Sequence, residues 1–228
     1  NPDKPLLPAS TTKIITALIA MDYYRKDAVV RVGRIKTEGQ RMGLIFGEEI
    51  TVDSLLKGLL IASANDAAEV LAQGYPGGKE AFVAAMNRKA TEVNLDNTNF
   101  TNPSGFDTVG HFSTARDLVR ISSHAMQIPY FSEIVGTGEA LVESVDGRFV
   151  HKLVNVNELV GEVEGVLGVK TGWTENAREN LVTYVERDGR RVMIAVLGSQ
   201  DRFGETKELI DWIFENYEWV KLDYPHSP

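Results

Sequence analysis

The sequence predicts an α+β fold in which helices and antiparallel strands occupy separate stretches of the chain. Three observations lead there. Apolar residues recur at helical spacing through most of residues 10–126. From residue 139 onward the texture turns strand-like, and two such pairs of runs flank Asp-Gly, at Asp146-Gly147 and Asp188-Gly189, a strong hairpin signal. A final apolar-periodic run near residues 204–217 carries Leu209, Ile210, Trp212, Ile213 and Phe214. The expected architecture is an antiparallel sheet flanked by helices at both ends, with a helical lobe over about residues 37–130 inserted before it. All 228 residues are expected to form one domain, the sheet lobe taking the remainder.

The elements follow in order. Pro8 outside and Ile14-Ile15-Thr16-Ala17-Leu18 inside predict a helix that opens at Ser10 and runs to about residue 26. Residues 28–32 read as a short strand and 33–47 as an irregular excursion. Thr51 is expected to cap a helix with Leu55, Leu56, Leu59 and Leu60 inward, leaving Ser54 and Lys57 on a solvated face. Asn65 or Asp66 starts another helix, ending at Gly74. After Gly77-Gly78, Phe82, Val83, Met86, Ala90 and Val93 fall at helical spacing, as core residues. Asparagine, proline and glycine make residues 94–112 loop-rich. Thr114 and Asp117 predict a capping box for a helix that Pro129 ends. Runs at 139–145 and 149–153 form one hairpin, and runs at 180–187 and 191–197 a second. A polar tail follows the last helix.

Composition narrows the function classes. Apolar residues make up 43% and charged residues 25%, ordinary values for a globular protein. The net charge of -8 argues against a nucleic-acid partner, which needs a concentrated basic surface. No apolar run approaches the roughly 18 residues that span a bilayer, and no signal peptide is visible, so a cytosolic or an already processed exported protein is expected, with membrane attachment not encoded in this chain. With zero cysteines there is neither disulfide nor thiolate chemistry. His111, His124, His151 and His226 lack metal-ligand spacing, so neither a metal nor a cofactor is expected.

Chemistry enters with Ser10-Thr11-Thr12-Lys13. On a helix a serine and a lysine three positions apart share one face. An unprotonated amine can take the proton of the hydroxyl, and the helix N-terminus favours negative charge on the oxygen. A second copy, Ser54-Leu55-Leu56-Lys57, shows how little the spacing means alone. Lys170-Thr171-Gly172 follows Gly168-Val169, which is not phosphate-loop spacing. On a strand it reads instead as an anion clamp, with Gly172 allowing another segment close.

Ser-x-x-Lys at Ser10/Lys13, Ser-x-Asn at Ser63/Asn65 and Lys-Thr-Gly at Lys170–Gly172, in that order, resemble the motif set of penicillin-binding proteins and serine β-lactamases. The segments LLIASANDAAEVLA, FVAAMNRKA, NTNFTNPSGFD, HFSTARDL, NVNELV and GVKTGWTENA narrow the resemblance to the low-molecular-mass D-alanyl-D-alanine carboxypeptidases, over essentially the whole chain. It implies a β-lactamase/transpeptidase-like fold. Two departures stand out: nine residues precede Ser10, where the family usually carries a longer strand hairpin, and no C-terminal β domain with an anchor follows.

The resemblance also implies a reaction and a location. Ser10 attacks the peptide bond between two terminal D-alanines of a peptidoglycan stem peptide, and water releases the acyl-enzyme. Lys13 is the general base. A free lysine near pKa 10.4 is rarely neutral at pH 7, a cost of roughly 4.6 kcal/mol, so Lys13 needs burial plus a like charge. Lys170 is that charge, staying protonated to hold the substrate carboxylate with Thr171. Ser63 relays a proton and Asn65 orients Lys13 or the substrate amide. The backbone N–H groups of Ser10 and Trp173 form the oxyanion hole. Gly172 and Trp173 belong to the substrate site, and Arg148 is a candidate carboxylate ligand. β-Lactams are expected as covalent inhibitors and the setting is extracytoplasmic. Two alternatives stay open: a class A-like β-lactamase, although residues 97–102 supply no acid, and a non-turnover penicillin-binding or peptidoglycan-sensing module.

Overall fold

The computed structural model describes residues 1–220; the end of the polar tail and His226 lie outside the described residues. The first helix, α1 (Lys13–Tyr23), is reached through a 3-10 turn at Ala9–Thr12. Ser10 therefore sits inside that turn and does not cap the helix, which stops at Tyr23 rather than near residue 26. Every residue from Lys13 to Ala20 is buried, so α1 is a central helix with no solvent face over that span. It packs among α2 (Val52–Leu60), α3 (Asn65–Gln73), α4 (Gly78–Glu92) and α5 (Ala115–Ala125). The expected first helix meets the main sheet through its opening 3-10 turn rather than along α1, while the helices Ala115–Ala125 and Arg202–Asn216 pack on that sheet as well.

Local chemistry explains most boundaries. Thr51 caps α2 by accepting from the Ser54 N–H at 3.2 Å. Ser54 is buried rather than solvated, its Oγ accepting from the Thr51 hydroxyl at 3.0 Å, and Lys57 pairs with Asp53. Thr114 caps α5 through the Asp117 N–H, but the capping box is only half made. The Asp117 carboxylate instead takes the N–H of Asn97 and the hydroxyl of Thr98, tying the 94–112 loop to α5. Pro129 does not merely end a helix. It occupies the first turn of a further one, α6 (Pro129–Val135), where its missing N–H has no intrahelical role.

The α+β fold class stands, with the strands distributed over three sheets instead of one. β1 (Val29–Arg31) pairs with β2 (Glu49–Thr51), a strand the sequence reading did not predict. β3 (Glu139–Glu143) pairs with β4 (Val150–Val154) around Asp146-Gly147. β5 (Val166–Thr174), β6 (Arg178–Arg187) and β7 (Arg190–Ser199) form the main antiparallel sheet in that order. Asp188 and Gly189 join β6 to β7 with φ of 52° and 73°, as a two-residue hairpin of right-handed twist requires.

The sheet is covered on both faces. Leu181 and Val185 of β6 and Ile194 and Val196 of β7 meet Leu159 and Ile210, where α7 (Arg202–Asn216) packs. Val182 of β6 and Val169 of β5 join the larger core of the helical lobe, around Ile14, Leu59, Phe82 and Phe131. Alternate side chains point to opposite faces of a strand, so β6 is apolar at successive positions. This sandwich leaves β5 as a free edge of the main sheet, facing the opening turn of α1.

Candidate active site

Two glycines press that turn into place. A Cβ at Gly105 would lie 1.9 Å from the Ala9 carbonyl oxygen, and one at Gly172 would lie 3.0 Å from the Ser10 nitrogen. The sequence reading of Gly172 as a point of close approach describes this contact. Ala9 itself takes φ 48°, a left-handed conformation uncommon for a residue with a Cβ. Ser10 is thereby held at the mouth of a groove of about 650 Å³. Ser63, Asn65, Thr171, Gly172 and Trp173 also line it, with Ser104, Gly105 and Phe106 nearby and Glu38 to Gln40 from the 33–47 excursion.

Lys13 lies beneath Ser10, 0% exposed. Its Nζ is 2.8 Å from Ser10 Oγ, 2.6 Å from Asn65 Oδ1 and 2.7 Å from the Ser104 carbonyl oxygen. Two of these partners can only accept. A charged ammonium has an N–H for each of the three; once neutral, Nζ keeps two N–H groups for Asn65 and Ser104 and has a lone pair for the Ser10 hydroxyl. Burial drives the Lys13 pKa well below the usual lysine range; the charge of Lys170 pushes the same way, against Asp66 and Glu69. No carboxylate bonds Ser10 or Lys13 among the described residues.

The second motif follows α2. Ser63 takes φ 57°, another non-glycine residue in the left-handed region, and reaches the groove. Asn65 is fixed at both ends of its amide, since Nδ2 donates to the Glu38 carbonyl at 2.7 Å. Asp66 anchors the same excursion. Its carboxylate accepts the N–H groups of Met42, Gly43 and Leu44 at 2.9–3.1 Å.

The third motif lies on β5. Lys170 is 1% exposed and donates to the neighbouring Thr171 carbonyl at 3.1 Å. Burial, helped by the Arg202 charge, lowers its pKa to about 7. Trp173 is 62% exposed along the groove wall.

Arg148 is corrected outright. It stands on the β3–β4 turn with a 72% exposed side chain, bonded to Asp146, and is not among the groove residues. The arginine that does line the groove is Arg202, at the start of α7, whose Nη1 donates to the Gly172 carbonyl at 3.1 Å. The sequence reading missed it, and missed Ser104, which acts through its backbone. The one available signal was the turn chemistry of Asn102-Pro103-Ser104-Gly105: Asn102 Oδ1 gathers the N–H groups of Ser104, Gly105 and Phe106 at 2.7–3.2 Å. Among the described residues no cluster of three or more His, Cys, Asp or Glu is placed to hold a metal ion, and no helix is long and apolar enough to cross a membrane.

The chain is similar to known proteins. Residues 1–201 match peptidase family S11, described as D-alanyl-D-alanine carboxypeptidase. The chain is 35% identical over 229 residues to D-alanyl-D-alanine carboxypeptidase DacF of Bacillus subtilis, covering 96% of this chain and 58% of DacF. It is 37% identical to DacB2 of Mycobacterium tuberculosis, covering 91% of this chain and 74% of that protein. A D-alanyl-D-alanine endopeptidase of Pseudomonas aeruginosa is 33% identical, covering 93% and 71%. Among solved structures, the Streptomyces K15 DD-transpeptidase superposes with a TM-score of 0.88 at 30% identity, covering 94% of this chain and 90% of that one.

Proposed function

The chain belongs to the D-alanyl-D-alanine carboxypeptidase family, and on that basis we propose that it is a serine-type D-Ala-D-Ala carboxypeptidase. Its substrate is a peptidoglycan stem peptide ending in D-Ala-D-Ala, which places its work outside the cytoplasm. β-Lactams, which present a comparable acyl centre, are its covalent inhibitors. Residues 1–228 act as one catalytic domain. The observation that carries this reading is the fully buried Lys13 Nζ standing 2.8 Å from Ser10 Oγ, at a groove that Ser63, Asn65 and Thr171 also line.

In the proposed reaction the Ser10 hydroxyl gives its proton to Lys13 Nζ as Oγ bonds to the carbonyl carbon of the penultimate D-alanine. The oxyanion is met by the backbone N–H groups of Ser10 and Trp173, interactions typically worth about 3–4 kcal/mol. Collapse breaks the C–N bond. The leaving amine takes the proton back from Lys13 through the Ser63 hydroxyl, and D-alanine departs. Water, deprotonated by the same lysine, then cleaves the ester and restores Ser10. Lys170, Thr171 and Arg202 hold the terminal carboxylate, and Asn65 keeps Lys13 aimed. Gly172 and Trp173 border the peptide.

A penicillin adduct should persist, because the amine released by ring opening stays tethered beside the ester and hinders the water that Lys13 would activate, and no carboxylate bonds Ser10 or Lys13 as a second base among the described residues. That favours the carboxypeptidase reading over a class A-like β-lactamase. The test is incubation with a D-Ala-D-Ala-terminated pentapeptide beside a Ser10→Ala control. Free D-alanine from the wild type alone is expected. Equal release from both would remove Ser10 from the mechanism. A stable stoichiometric penicillin adduct without D-alanine release would identify a non-turnover binding module instead.

A further inference from the structure

His111 lies outside the three motifs and lines none of the groove, yet it is 2% exposed and fully engaged. The backbone N–H of Thr101 points at its Nδ1 at 3.0 Å. An amide N–H can only donate, so Nδ1 carries the lone pair and the ring is the Nε2–H tautomer. Nε2 must then donate to Thr12 Oγ1, 2.9 Å away. The Thr101 hydroxyl stands 3.2 Å from Nδ1, and the Phe100 ring meets the imidazole edge to face with centroids 5.8 Å apart. One side chain thus joins the residue immediately before Lys13 to the loop that carries Ser104.

The loop is a lever on the proton acceptor. Between Thr101 and His111 it supplies the Ser104 carbonyl to Lys13 Nζ, the Pro103 carbonyl to Thr16 Oγ1 at 2.7 Å, and Gly105 against the Ala9–Ser10 turn. The imidazole and the Thr16 hydroxyl are side-chain ties of this loop to α1 and its opening turn. We propose that His111 is a positioning residue for acyl transfer: by clamping Thr12 to Thr101 it keeps the Ser104 carbonyl on Lys13 Nζ, so that the lone pair of the amine stays on Ser10. This rests on the reading of Ser10 and Lys13 given above. Burial keeps the imidazole neutral, with a pKa of about 4 that the Asp107 charge only partly restores, so the tautomer the clamp needs persists through the neutral range.

The test compares wild type with His111→Gln, Thr12→Val and Thr12→Ser. Binding and acylation are separated in stopped-flow measurements with a fluorescent penicillin, at a temperature where circular dichroism shows each protein folded. Thr12→Val removes the acceptor and leaves the imidazole, so it decides the matter whatever His111→Gln does to folding. The expected result is unchanged initial binding and acylation slowed on the order of tenfold or more for His111→Gln and Thr12→Val, since a small misplacement of a reacting group is costly. Water admitted beside Lys13 also moves the acidic limb of the acylation profile to higher pH in both variants. Thr12→Ser keeps the hydroxyl and retains the wild-type rate. Folded Thr12→Val with wild-type acylation and pH profile, or a slowing that only follows its folded fraction, overturns the proposal. Failure of the wild type to acylate at all would overturn the reading of Ser10 and Lys13 instead.

Discussion

Substitution of Gly105 by alanine tests whether the nucleophile turn is held by backbone contact. The new Cβ would sit 1.9 Å from the Ala9 carbonyl oxygen and 2.4 Å from its carbon, both backbone atoms that no rotamer can move aside. It would also be placed on a residue with φ of 90°. The left-handed backbone costs an alanine about 1–2 kcal/mol. Overpacking a tight contact costs about 1–3 kcal/mol more, so a loss of roughly 2–5 kcal/mol is expected. That leaves a measurable folded population in a domain stable by about 5–15 kcal/mol. Relieving the overlap shifts Ala9-Ser10 by on the order of 1 Å, which for a reacting atom costs about a hundredfold in rate. Gly147→Ala is the control, because φ is 70° there and nothing lies within 4 Å of the added carbon. Urea unfolding reads the stability of both variants, and penicillin acylation under folding conditions reads the site. Gly147→Ala should lose only its backbone cost, about 1–2 kcal/mol, and acylate normally. A Gly105→Ala protein that acylates like wild type and is no less stable than Gly147→Ala would refute the reasoning.

Four further outcomes are expected. Because the Lys170 pKa falls to about 7, the form of the free protein that binds a carboxylate is lost as pH rises through that value, and kcat/KM for a D-Ala-D-Ala peptide should decline above it. The same shift has the opposite sign for folding: the unfolded chain keeps this proton to about pH 10.4, so stability rises with pH from about 7, and Lys170→Met should reduce that rise in urea titrations. Asp66→Asn exchanges a carboxylate that accepts three loop N–H groups for an amide with one acceptor atom. It should cost about 1–3 kcal/mol in urea unfolding and expose residues 38–44 to limited proteolysis. Phe82→Ala, at 0% exposure in the helical core, should cost about 3–5 kcal/mol in the same assay while leaving acylation of the folded protein unchanged.

Much of the fold was legible because its signals are local. Asp188-Gly189 can close only a tight hairpin, and Thr51 and Thr114 announce helix starts with their own hydroxyls. What escaped depends on distant partners. Neither β2 nor the separation of the strands into three sheets has a sequence period of its own, since pairing is decided by which edges meet. Pro129 is ambiguous by nature, fitting equally the end of one helix and the first turn of the next.

The site divides in the same way. Ser10, Lys13, Ser63, Asn65, Lys170 and Thr171, proposed above for the reaction, offer recognisable side chains. Ser104 contributes a carbonyl, which every residue has, so only the folded loop gives it meaning. Arg202 and Arg148 could not be separated by spacing, because what distinguishes them is that one chain segment returns to Gly172 and the other does not. His111 was visible as a lone histidine. Its role depends on Thr12, 99 positions away.

The central claim is that Lys13 is an uncharged amine in the folded protein at neutral pH. Side-chain NMR of lysine labelled with ¹³C and ¹⁵N, assigned through Lys13→Arg, measures this directly across a pH titration. A Lys13 Nζ shift characteristic of a neutral amine near pH 7, moving toward the charged form when Lys170→Met removes the neighbouring, partly protonated amine, is the predicted result. A Lys13 signal that titrates near the ordinary lysine value of about 10.4, indifferent to Lys170, would contradict it.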